Sequence, residues 1–71
     1  METYNINSTH IKYVVYHRNE LHLDVYFNDG TVYEYYPFYE NQLKNFLNSD
    51  SKGKWFLENV KKNKSIRFKK K

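Results

Sequence analysis

Asn28-Asp29-Gly30 sits between two runs with the period of β-strands, and this turn constrains the fold more than any other stretch of the chain. Before it, Leu21, Leu23, Val25 and Phe27 alternate with His22, Asp24, Tyr26 and Asn28, the pattern of a half-buried strand. After it comes Thr31-Val32-Tyr33-Glu34-Tyr35-Tyr36, β-branched and aromatic, and then Pro37. The length of the turn decides which side chains are buried. A two-residue Asp-Gly turn would set Glu34 on the face of Val25 and Phe27, where an unpaired carboxylate is costly. A three-residue loop with Gly30 in the left-handed region sets Thr31 opposite Phe27 instead. Tyr33 and Tyr35 then join Leu23 and Val25 in the core, and Glu34 goes to water with Tyr36. The second register is the expected one.

Upstream, Ile11-Lys12-Tyr13-Val14-Val15-Tyr16 reads as a further strand, ended by His17-Arg18-Asn19-Glu20. Downstream, Pro37 suits a first helical turn, and Tyr39, Leu43, Phe46 and Leu47 fall on one apolar stripe. Asn48-Ser49-Asp50 stops that helix. Ser51 can cap a second one that carries Trp55, Phe56 and Val60. The expected architecture is α+β: a three-stranded antiparallel meander followed by two short helices on one face (β-β-β-α-α). Residues 1–7 are expected to be loose, 8–63 to form the domain, and 64–71 to be a basic tail. The open face of the sheet should then show His22, Asp24, Tyr26, Glu34 and Tyr36, with Lys12 and Tyr16 beside them.

Seventy-one residues make one domain with a small core, so self-association is a natural second source of burial. The absence of cysteine removes disulfides, thiolate nucleophiles and Cys-based zinc sites. No apolar run approaches the ~20 residues of a membrane span, and Met1-Glu2-Thr3-Tyr4 does not resemble an export signal. A cytoplasmic protein with no membrane partner is therefore expected. The richness in Lys, Asn, Tyr and Ile suggests AT-rich coding, as in a low-GC bacterium or a phage.

Charge is divided along the chain. Residues 1–60 hold five Lys or Arg and all eight carboxylates, a net of −3, and the stretch from Lys61 onward adds +7 with no acid. Its plain reading is a frayed, solubilising end. Its functional reading is a phosphate-seeking arm of Lys61, Lys62, Lys64, Arg67, Lys69, Lys70 and Lys71. Ser51-Lys52-Gly53-Lys54 adds two lysines and a glycine at a helix start, with Trp55 beside them to stack on a base. It is not a Walker loop, and a capped helix with solvated lysines is the plainer reading of it. On the open face, Tyr26 and Tyr36 are the candidate stacking residues. Scattered His10, His17 and His22 form no catalytic constellation, and His22 with Asp24 makes only two metal ligands. No catalytic residue, metal or cofactor is expected.

Several of these pieces together resemble the KTSC domain, a module named for its occurrence at the C-terminus of some lysyl-tRNA synthetases. They are Ser8-Thr9-His10-Ile11 through Tyr16, Leu21-x-Leu23-x-Val25-x-Phe27, Gly30-x-Val32-Tyr33-x-Tyr35, Pro37, and Ser51-Lys52-Gly53-Lys54-Trp55-Phe56. The resemblance covers residues 8 to 63. Trp55-Phe56-Leu57 stands where the family usually has Tyr-Phe-Asn, so a role of that Asn does not carry over. The resemblance implies a connection with RNA and no established activity.

Two functions are carried forward. The first is a non-enzymatic module that binds nucleic acid, RNA above all, through the basic tail and the aromatic and lysine surface. The alternative is a phage or bacterial protein-interaction or counter-defence module, a homo-oligomer that captures a protein or a nucleotide signal.

Overall fold

The computed structural model of the chain describes residues 1–71. Strands β1 (Glu2–Asn5), β2 (Ile11–His17), β3 (His22–Phe27) and β4 (Val32–Tyr36) come first. Helices α1 (Glu40–Asn48) and α2 (Lys52–Phe56) follow, α2 running on as a π-helical turn over Leu57–Lys61, and β5 (Arg67–Lys70) closes the chain. The strands form one antiparallel sheet in chain order. The α+β class with two helices on one face is as expected, but the sheet has five strands rather than three. The two additional strands lie in the segments read as a loose N-terminus and a basic tail.

The hairpin has the expected register. Gly30 adopts φ +91°, and Leu23, Asp24, Val25 and Tyr26 face Tyr35, Glu34, Tyr33 and Val32. The Phe27 N–H donates to the Thr31 carbonyl at 2.9 Å. Asp29 fixes the loop, accepting from the Thr31 N–H at 2.9 Å and from its hydroxyl at 2.7 Å.

Strand β2 departs from the expected faces. Ile11 pairs with Phe27 and Tyr13 with Tyr26, so an irregularity at Lys12 adds one residue to β2. An extra residue turns every later side chain to the other face. Ile11, Val14 and Tyr16 therefore enter the core, while Tyr13, Val15 and His17 join Tyr26, Asp24 and His22. Tyr16, expected beside the open face, is fully buried and donates its hydroxyl to the Phe38 carbonyl at 2.8 Å.

Pro37 does not open the helix. It follows a cis peptide bond after Tyr36, and α1 starts three residues later. Phe38, between them, is fully buried, and its N–H donates to the Leu21 carbonyl at 2.8 Å. The Gln42 side chain accepts from the Tyr39 N–H at 2.7 Å and caps α1. Leu43 and Phe46 of the predicted stripe are buried and Leu47 packs against them, whereas Tyr39 is exposed. Phe56 and Val60 complete the helical side of the core.

Strand β1 is tied to the β2–β3 turn. Arg18 donates to the Glu2 carboxylate at 2.8 and 2.9 Å, and the Tyr4 hydroxyl donates to it at 2.6 Å. The Arg18 bonds, followed by that of Tyr4, hold the Glu2 carboxyl at about 2 instead of its ordinary 4.5. A depressed folded-state value means that the tie contributes fully above about pH 4.5 and is lost as the pH falls through about 2. Hydrogen-exchange protection factors of the β1 amides are expected to fall over that window while those of β3 persist. Protection of β1 that is unchanged down to pH ~2 would show that the tie does not hold the strand.

Candidate nucleic-acid interface

The two faces of β5 receive different parts of the basic stretch. Opposite Tyr33, Glu34, Tyr35 and Tyr36 stand Lys70, Lys69, Phe68 and Arg67. Phe68 and Lys70 thus lie on the helix side of the sheet with Tyr33 and Tyr35. Arg67, Lys69 and Lys71 alternate with them.

On the helix side, Phe56 of α2 packs edge-on against Tyr35 of β4, with ring centres 5.1 Å apart, and leaves β5 uncovered. An open groove of about 420 Å³ remains, lined by Phe27, Asp29, Thr31, Tyr33, Tyr35, Lys61 and Phe68. Phe68 is 67% exposed, the most exposed aromatic ring of the chain. Its ring lies 6.1 Å from that of Tyr33 and 6.3 Å from that of Tyr35. Burial pushes the Tyr35 phenol up to about 12, so it stays a neutral hydroxyl. Lys61 carries its ammonium 5.4 Å from the centre of the Phe27 ring. Beside this groove a second hollow of about 500 Å³ is lined by Tyr36, Lys61, Asn63, Lys64, Ile66, Arg67 and Phe68. Three of the predicted phosphate ligands and one predicted stacking residue are thus brought together around Phe68.

The opposite face is more closed than its composition suggested. Asp24, expected at a partly wet surface, is only 3% exposed. Its Oδ2 meets His17 Nε2 and Lys71 Nζ, each at 3.0 Å, while its Oδ1 is buried without a partner. The hydrogen bond to Asp24 raises the Lys71 ammonium above its usual range. Lys71 is therefore held by the protein itself. Glu34 pairs with His22, whose ring lies 5.2 Å from that of Tyr36. Tyr26 is stacked on Tyr13 at 4.3 Å and 15°, which covers one face of each ring.

Phe68 was not among the predicted ligands. Its signal is the alternation of Ile66 and Phe68 with Arg67 and Lys69, a period of two inside what reads as a charge run.

The model of the KTSC domain matches residues 7–63, most of the chain. The chain belongs to the KTSC domain family. Its fold is similar to the crystal structure of a KTSC domain protein from Yersinia pestis, with 26% identity and a TM-score of 0.84, covering 99% of this chain and 96% of that one. That likeness takes in β1 and β5, which lie outside the matched family segment. No curated protein sequence matches the chain.

Within this KTSC domain, the Ser8-Thr9 and Ser51-Lys52-Gly53 pieces meet in space. They line a polar cleft of about 300 Å³ with Asn7 and Asp50, and a Cβ on Gly53 would lie 3.2 Å from Ser8 Oγ. The cleft holds an acid, and Lys52 bends back to donate to the Ser49 carbonyl at 3.2 Å. Trp55 is half-buried, 6.5 Å from Phe38 and 5.5 Å from Phe46 between ring centres. Its ring supports the core. Lys54 and Lys62 are exposed and line neither the groove nor the hollow.

Proposed function

We propose that this KTSC domain is a non-enzymatic cytoplasmic module that binds nucleic acid, RNA above all, across the β4–β5 side of the sheet. The observation that carries the reading is the single hollow in which Lys61, Lys64 and Arg67 surround Tyr36 and Phe68. Cations beside aromatic rings are the chemistry of single-strand recognition: the charges take phosphates and the rings take bases. The net −3 of residues 1–60 keeps polyanions off the rest of the molecule, so attraction is confined to this side. RNA is favoured over DNA by the family's occurrence at the end of some lysyl-tRNA synthetases.

The test is salt-dependent binding of a short RNA by the full chain, read by fluorescence anisotropy. Each phosphate contact to a single strand contributes about −0.7 to the slope of log K against log salt. Replacing Lys61, Lys64 and Arg67 together by Ala is expected to flatten that slope by about 2. Failure of the unmodified chain to bind at ~50 mM salt would overturn the reading. Binding of a mononucleotide in preference to polymeric RNA would also count against it, in favour of nucleotide capture.

A further inference from the structure

We propose that the groove of Phe27, Tyr33 and Phe68, floored by the buried Tyr35, takes unpaired bases, so that the domain selects single-stranded over duplex nucleic acid. The inference rests on the nucleic-acid reading above and goes further by naming which form of the polymer binds and where its bases go.

The aromatic rings differ in the faces they leave open. Tyr13 and Tyr26 lie nearly parallel and already cover one another. In the groove Phe27 meets Tyr33 at 80° and Tyr33 meets Phe68 at 62°, while Tyr35 is tilted at 38° to Tyr33 and 39° to Phe68. Such contacts pack the rings without pairing them face to face. Phe68 stands 67% exposed on an edge strand whose other side chains are Arg and Lys. An uncovered ring in that setting is a place for a flat apolar partner.

Charge then orients the partner. Lys61 lines both the groove and the hollow that holds Lys64 and Arg67, so the two spaces share one wall. Lys70 shares the sheet face of Phe68 but lies opposite Tyr33, towards the turn, where its charge acts on Asp29. At the turn end of the groove stands Asp29, whose carboxyl the Thr31 hydroxyl and N–H hold below its usual range, and which is therefore ionised. A phosphate is repelled there and attracted at the lysine end, so the chain's backbone runs past Lys61 towards Lys64 and Arg67 while its bases lie on the rings. The groove's 420 Å³ is within the ~300–1,000 Å³ of ordinary ligand pockets. A duplex keeps its base faces stacked inside the helix and has nothing to place against Phe68.

The experiment compares a short single-stranded RNA, single-stranded DNA of the same sequence, and the RNA duplex. Each is titrated by anisotropy against the full chain and against Phe68→Ala and Phe68→Trp. Single strands are expected to bind about tenfold tighter than the duplex. Phe68→Ala should lose about tenfold on single strands and leave duplex binding unchanged, and Phe68→Trp should restore it with quenching of the new indole. Equal binding of the RNA and DNA single strands supports base stacking, which reads base faces and not the 2′-hydroxyl, and removes the preference for RNA from the reading above. The comparison of single strand with duplex uses the unmodified chain, so it stands even if Phe68→Ala loosens β5. Equal affinity for duplex and single strand overturns this inference and leaves the nucleic-acid reading in place. No binding of any of the three overturns both.

Discussion

Removal of residues 64–71 is expected to lower the melting temperature by roughly 15–30 °C as well as to weaken nucleic-acid binding. A solubilising tail would leave the melt unchanged; here the segment is a strand. Its loss uncovers the β4 edge, removes buried Ile66, and takes Lys71 from Asp24. Burying an Ile side chain is worth about 1.5–3 kcal/mol. Asp24 already has one oxygen without a partner, and leaving its other with His17 alone adds a penalty of about 1–3 kcal/mol. Together these reach ~2.5–6 kcal/mol, against a total stability of about 4–10 kcal/mol for a chain of this length. Calorimetry of the truncated chain checks the first effect and anisotropy the second. A melting temperature within a few degrees of the full chain would show that β5 is not a strand in solution. Lys71→Ala alone separates the two contributions, since it keeps the ladder and removes only the ammonium from Asp24.

Phe38→Ala is expected to cost about 3–5 kcal/mol and to leave much of the protein unfolded at physiological temperature. Phe38 joins the sheet to α2 in the core. Its ring stands edge-on to Tyr16 of the sheet and to Trp55 of α2, with centres 6.2 and 6.5 Å apart. Its N–H and carbonyl are both used, by Leu21 and by the Tyr16 hydroxyl. Truncation leaves a ring-sized void between sheet and helices that rigid neighbours cannot fill. Leu57→Ala is the control, because Leu57 is exposed on the π-helical turn and its loss should stay within about 0.5 kcal/mol. Urea denaturation of the two variants measures both. A loss below ~1 kcal/mol for Phe38→Ala would remove Phe38 from the centre of the core.

Much of the fold was legible because it is written in local chemistry. The Asn28-Asp29-Gly30 loop, the alternation of Leu23 and Val25, and the Leu43/Phe46 pair each express a preference that nearby residues satisfy. The two edge strands were not legible. Glu2–Asn5 and Arg67–Lys70 bury little, and lysine on an edge strand reads as solvent-facing charge whether or not the backbone is paired. Phe38 was overlooked because it follows Pro37 and falls outside the helical stripe. For the interface, the cations could be named but not sorted. Lys61, Lys64 and Arg67 converge, whereas Lys71 is occupied by Asp24 and Trp55 by the core.

The sequence by itself determined the hairpin register, the division of Tyr33 and Tyr35 from Glu34 and Tyr36, the two helices and the surplus of positive charge. All of these depend on neighbours within a turn or a strand pair. Tertiary structure alone decided which face β2 presents, because one extra residue at Lys12 costs little locally and inverts every side chain after it. It alone closed the Asp24 face, by bringing Lys71 across 47 residues of chain to a buried carboxylate. It also left Phe68 uncovered, because the helices end before β5 and the sheet does not. Backbone pairing at an edge needs only a partner strand and no apolar pattern of its own, and that is why the proposed interface lies where the sequence reads as a tail.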